Sequence, residues 1–246
     1  QQERVKFRVP RSVQDAIPIR RIWSDGIFLC GNQYSKTWSF TDINYAIAGK
    51  DDKTAMFLDY SELLNALDSG ASAKITLCNR RVNKAEFERS VLLPMKGDTL
   101  DEYRREFNEM LLAQTTGGNS IVRERYLTVS VVKRSIDEAR AYFARVGTDL
   151  VTHFAALSSV ATELPVNDRL RIFRDFFKAG QEPAFEFNIA EKAKRGQHFK
   201  DWLCPDSMEF AADHFKIDGR FGRVLYLQDF ASYLKDSFVS ELCDLD

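Results

Sequence analysis

From Ile136 to Leu164, apolar residues recur at positions 136, 139, 143, 146, 150, 154, 157, 161 and 164, always three or four apart. That spacing stacks them on one face of a helix, and an unbroken helix over these residues would run about 40 Å. Such a rod is expected to be a core element, with its stripe covered along its length. Gly147 lies inside the pattern as a candidate bend, and Pro165 closes it.

Around this element strand and helix signals alternate. Residues 26–30 and 34–40, separated by Gly31, Asn32 and Gln33, read as a β-hairpin. In its second strand Trp38 and Phe40 share a face with Tyr34 and Lys36, while Ser35, Thr37 and Ser39 point the other way. Residues 51–69 predict a helix with Met56, Tyr60, Leu63, Leu64 and Leu67 on one face, stopped at Gly70. A short strand over 73–78 is expected to turn Ile75 and Leu77 inward. A helix at 83–93 ends at Pro94. The next starts at a capping-box pattern, Thr99 and Glu102, and carries the stripe Leu100, Tyr103, Phe107, Met110 and Leu111 up to Gly117 and Gly118.

In 124–133, Leu127, Val129 and Val131 alternate with Thr128 and Ser130, the pattern of a half-buried strand. Beyond Pro165 a shorter helix carries Leu170, Phe173, Phe176 and Phe177, and residues 178–200 read as a surface excursion. Residues 210–217, Gly219 and 223–227 predict a second hairpin, which feeds a terminal helix with Phe230, Leu234, Phe238 and Leu242 on one face. Strands in separated pairs with helices between them give an α+β fold. It consists of β-hairpins and a mainly antiparallel sheet packed against several amphipathic helices, one of them long.

A chain of 246 residues is long enough to bury a proper core, and nineteen Phe are available to fill it. Its formal net charge of -1 excludes a strongly basic nucleic-acid binder and a charged disordered tail. Cys30, Cys78, Cys204 and Cys243 are widely scattered with no signal peptide before them, so reduced thiols in a cytoplasmic protein are expected. No apolar run approaches the roughly 20 residues of a membrane-spanning helix, so any membrane association is expected to be peripheral.

No complete active site is legible. Gly31 to Thr37 brushes against a phosphate loop, but the second glycine is absent and a strand pattern follows in place of a helix. It reads as a hairpin turn. His153, His198 and His214 match no zinc spacing, and no Gly-x-Ser-x-Gly occurs. Catalytic residues, cofactor-binding residues and metal ligands are therefore all expected to be none.

One surface feature has a physical argument for binding. Residues 1–23 form a basic extended arm in which Arg4, Lys6, Arg8, Arg11, Arg20 and Arg21 outweigh Glu3 and Asp15, with Pro10 and Pro18 breaking regular structure. Such an arm suits anionic lipid head groups or nucleic-acid phosphate. Arg8, Arg11, Arg20 and Arg21, with Trp23 and Trp38 as aromatic anchors, make up the candidate docking surface. The competing readings are an arm packed along its own domain and two tryptophans in the core.

Several blocks, in order, carry a resemblance that covers essentially the whole chain. They are residues 9–19 (VPRSVQDAIPI), Asp25-Gly-Ile-Phe, residues 34–45 (YSKTWSFTDINY) and 52–57 (DKTAMF). Residues 204–210 (CPDSMEF), 221–227 (FGRVLYL) and 233–245 (YLKDSFVSELCDL) complete the set. Together they resemble the N-terminal region of conjugative-transfer ATPases, the TraE/TraC/TrbE group of VirB-four type, in the version found on Gram-positive integrative conjugative elements. These proteins energise type IV secretion.

The resemblance implies that residues 24–246 are an α+β N-terminal domain that precedes a RecA-like motor. ATP and Mg are then expected only in that motor, with no cofactor and no enzymatic activity in this piece. Gln1 in place of Met, and a helical pattern still running at Asp246, fit one piece of a larger protein. The implied role is docking and assembly at the cytoplasmic face of the bacterial cell membrane. The implied partners are inner-membrane conjugation-channel proteins and other copies of the full-length ATPase, as in a hexamer. The alternative is a domain that handles transferred DNA through its basic arm; near-neutral charge and the lack of an aromatic-interleaved basic stripe count against it.

Overall fold

The computed structural model of the chain describes residues 10–43, 45, 48–81, 92–116, 121–178, 191, 194–196, 198–229, 232–233, 235 and 241. It is an α+β fold with an antiparallel sheet of six strands. Two compact units divide the chain: Gln1–Thr76 with Arg125–Lys235, and Leu77–Glu124 with Asp236–Asp246.

In chain order the elements begin with α1 (Val13–Ala16), β1 (Ile19–Ile22), β2 (Phe28–Cys30), β3 (Gln33–Phe40), α2 (Lys50–Asn65) and β4 (Ala71–Arg81). Then come α3 (Asp101–Thr116), β5 (Ile121–Val131), α4 (Ile136–Ala156), β6 (Ala161–Glu163), α5 (Val166–Phe177) and α6 (Lys200–Leu203). A separate small sheet is made by β7 (Met208–Phe210), β8 (Phe215–Ile217) and β9 (Arg220–Gly222).

The large sheet runs β1-β2-β3-β5-β4, and β6 shares an edge of β3 with β2. Register follows from the sequence alternation. Tyr34, Lys36 and Trp38 lie opposite Val131, Val129 and Leu127, while Ser35 and Thr37 lie opposite Ser130 and Thr128. A period of two therefore gives β3 and β5 one largely apolar face and one hydroxyl face.

The apolar face takes α4. Phe143, Val146 and Leu150 are buried against Trp38, Leu127 and Val129, and the Phe40 and Phe154 rings stack 5.0 Å apart. Gly147 marks no bend, because the helix runs through it. A Cβ there would sit 2.8 Å from Glu163 Oε1 and 3.4 Å from Trp38 Cζ2, so glycine lets α4 lie close on the sheet. A second core forms around β1 and β2, where Ile19 and Phe28 meet Val166 and Leu170 of α5 and Leu203 of α6.

The long helix is shorter than its periodicity predicts. It ends at Ala156, and the apolar positions 161 and 164 belong to β6 and the turn after it. Ser158 takes φ +58 and turns the chain, and Ser159 Oγ donates to the Thr41 carbonyl at 2.8 Å. Backbone pairing of residues 160–164 with residues 37–41 outweighs the local helical pattern.

Other expectations are also revised. Strand β4 turns Ile75 and Leu77 outward and Thr76 inward. In α2 only Leu63 is buried, with Met56 and Leu67 packed beside it, while Tyr60 and Leu64 stay exposed. The arm is not free of regular structure, since its described part holds α1 and the sheet-edge strand β1. Residues 223–227 form no strand; the second hairpin does turn at Gly219, with Asp218 beside it and both at positive φ, but its return strand is β9. The predicted helix at 83–93 lies largely, and the terminal helix almost wholly, outside the described residues.

Candidate functional site

The basic arm meets the sheet at β1. Its ladder with β2 is bulged: Ile19 pairs with Cys30 and Arg21 with Leu29, leaving Arg20 as the extra residue. Ile19 is buried, whereas Arg20 and Arg21 are exposed. Arg20 Nη1 donates to the Gly31 carbonyl at 3.3 Å, and Arg11 is exposed just before α1. Ion pairs in this unit include Lys36–Glu163, Arg125–Asp42, Arg140–Asp25 and Arg145–Asp68. Among the described residues none of the three arm arginines has a carboxylate partner. Arg8 lies outside the described residues.

The two tryptophans separate. Trp23 is half-buried, with its ring 5.8 Å from that of Tyr34. Trp38 is 0% exposed and faces Phe143 at 6.3 Å. Trp38 is therefore removed from the docking surface, because strand alternation points it into the α4 interface. What remains together on one edge is Arg20, Arg21 and the exposed part of Trp23.

A second surface was not foreseen as a surface at all. On α3, in the other unit, Tyr103, Phe107 and Met110 are 68%, 44% and 48% exposed at spacings of four and three. They share one helix face, and in this unit that face is in solvent. The residues were legible as a stripe, but periodicity alone does not say what covers it.

The capping box expected at Thr99 and Glu102 is replaced by an aspartate arrangement. Asp98 accepts from the Leu100 amide at 3.0 Å, and Asp101 accepts from the Lys96 and Gly97 amides at 3.0 and 2.7 Å. Arg104 bridges both carboxylates. Its hydrogen bond is the main reason the Asp98 carboxyl is held below its usual range, and the Lys96 amide does most for Asp101.

Gly31 to Thr37 is the hairpin turn and the start of β3. Lys36 is buried and bonds Glu163 at 2.7 Å, so its ammonium is committed within the fold. Among the described residues no group of three His, Cys, Asp or Glu side chains could hold a metal ion, and no helix is long and apolar enough to cross a membrane.

A residue missed at sequence level is Arg169, on the buried side of α5 and only 3% exposed. Its Nη1 donates to the carbonyls of Gly26 and Ser35 at 2.8 and 2.7 Å, and Nη2 donates to Ser35 Oγ at 2.9 Å. The guanidinium carbon lies 4.0 Å from the centre of the Phe28 ring. The available signal was an arginine at the same helical face as Val166, Leu170 and Phe173. Arg169 lines a cavity of about 230 Å³ on the hydroxyl face of the sheet.

No protein-family model matches the chain, and no curated protein matches it.

Proposed function

We propose that the chain is a non-catalytic docking and assembly domain of a type IV secretion ATPase, acting at the cytoplasmic face of the bacterial membrane. The observation that carries this reading is the exposed stripe Tyr103, Phe107 and Met110 on α3. Large apolar side chains at helical spacing are what a partner's hydrophobic groove receives, and aromatic residues supply much of the energy at interface centres. Arg20 and Arg21 of the β1 edge, exposed beside half-buried Trp23, add a positive patch suited to anionic head groups. The partners are inner-membrane channel components and other copies of the full-length ATPase. The sequence resemblance supports the same role.

The test uses the full-length protein in its host. Tyr103→Ser combined with Phe107→Ser alters exposed positions only, so the melting midpoint should be kept. Loss of two anchors is expected to weaken association about tenfold or more, reducing both DNA transfer and recovery in the membrane fraction. Replacing Arg8, Arg11, Arg20 and Arg21 with Ser tests the arm separately. If transfer and membrane recovery survive both changes, the docking reading is wrong.

A further inference from the structure

Arg169 presents a charge that the described fold leaves uncompensated. A guanidinium has five N–H donors, and the three acceptors around it, two carbonyls and the Ser35 hydroxyl, are all neutral. Its remaining donors have no protein acceptor among the described residues. Among the described residues the ionisable group placed to oppose it is Cys30. Burial pushes that thiol up, more than the arginine and the Ser35 hydroxyl pull it down, so it stays neutral near pH 7. Burial likewise pushes Arg169 down to about 9, which still leaves it cationic at neutral pH. A buried cation that lacks a counter-ion is strongly unfavourable, so a negative group from outside the fold is the natural complement.

The surroundings are built for one kind of group. The cavity brings Lys74 to the same space as Arg169, together with the hydroxyls of Ser35, Thr37, Thr76, Thr128 and Ser130. Among the described residues no Asp or Glu lines it, and Lys74 has no ion pair. Ser35 donates its hydroxyl proton to the Phe28 carbonyl, and Thr37 and Thr128 bond each other at 2.8 Å, so Thr76, Ser130 and one proton of the threonine pair remain as donors. Two cations with these donors match a dianionic, multi-oxygen acceptor better than a single carboxylate. The volume of about 230 Å³ is below the roughly 300–1,000 Å³ of pockets for drug-sized ligands, so a small group fits where a nucleoside triphosphate does not.

We propose that the cavity between α5 and the hydroxyl face of β3, β5 and β4 binds a phosphate group, with Arg169 and Lys74 as its charge partners. The inference is independent of the docking reading, since it involves neither α3 nor the β1 edge. The phosphate has two possible sources, a soluble phosphomonoester or free phosphate, and the head group of an anionic lipid.

The experiment titrates this chain with inorganic phosphate and with glycerol 3-phosphate at constant ionic strength, following the heat of binding and the melting midpoint, with chloride as the control. Vesicles with and without phosphatidate form the third arm. Saturable binding is expected in at least one phosphate arm, with no effect of chloride. Because Arg169 also ties α5 to the hairpin, its variants can fail to fold, so the diagnostic change is Lys74→Met on the exposed edge strand. Losing one charge-assisted contact should weaken binding about tenfold. In the two soluble phosphate arms Arg20→Ser with Arg21→Ser should leave it unchanged, because neither residue lines the cavity. Binding in solution identifies a soluble source, and binding to phosphatidate vesicles alone identifies a lipid head group; with the Lys74→Met loss, either upholds the site. Absence of saturable binding in every arm overturns the proposal. So does equal affinity in Lys74→Met, or a loss that follows Arg20 and Arg21 instead.

Discussion

Two glycines of the first hairpin look alike in sequence and differ in what they do. Gly26 has φ +78, and a Cβ on it would lie 2.5 Å from the Leu164 carbonyl oxygen, a backbone atom with no rotamer to move. Gly31 has φ +60 and nothing within 4 Å. Left-handed backbone alone costs a residue with a Cβ about 1–2 kcal/mol. Gly31→Ala should therefore lose no more than that, while Gly26→Ala should lose about 3 kcal/mol or more, because the clash adds to the strain. Urea midpoints of the two variants check this, and equal losses would refute it. Gly26 also offers its carbonyl to Arg169, so displacement there disturbs the cavity. None of this can be read from a glycine in a sequence. Val129 and Ser35 were legible, because in a strand the alternation itself sorts residues by face; Trp38 was grouped with the right face, but was offered as a docking anchor and is buried. Arg169 was not, because helical period shows that it lies among apolar residues but not which carbonyls await it.

Elements were read well where local pattern and tertiary pairing agree. The β2–β3 hairpin and β5 kept their predicted alternation, and α4 begins where Ser135 caps the Glu138 amide at 3.2 Å. Its C-terminal end was misjudged because residues 161–164 continue the helical spacing while their backbone pairs with β3. At α3 the capping box expected at Thr99 and Glu102 does not form; Asp98 and Asp101 instead accept from the amides of Leu100, Lys96 and Gly97, all just before the helix. Both carboxyls are held below their ordinary value of 3.8. A depressed folded pKa contributes stability that is fully present above the unfolded value and is lost as pH falls through the folded one. The α3 start should therefore hold at neutral pH and loosen only below about pH 4. Arg104→Gln removes the largest influence on Asp98, so the Asp98 carboxyl should titrate nearer its ordinary value. A carboxyl-carbon NMR titration measures this; an Asp98 that titrates identically with and without Arg104 contradicts it.

At the scale of the first unit, one sheet serves two cores through adjacent residues. Ile27 belongs to the α4 side and Phe28 to the α5 side, so the β2–β3 hairpin is the shared wall. Phe143 sits at the centre of the α4 side, fully buried, with its ring 6.3 Å from Trp38 and 5.3 Å from Tyr142. Truncating a buried Phe to Ala removes its transfer free energy and leaves a cavity, and Phe143→Ala should destabilise by about 3–5 kcal/mol. The shared hairpin makes a further demand. If the two faces are one cooperative structure, the loss must appear on both, because neither core keeps its wall when the other opens. Native-state hydrogen exchange reads this directly. In Phe143→Ala the slowest amides of α4 and of α5 should lose protection by the same amount, although Phe143 belongs to only one of the two cores. Wild-type protection in α5 alongside a loss confined to α4 would show that the faces open separately. The cavity holding Arg169 would then lie on a unit that remains formed while the α4 core comes apart.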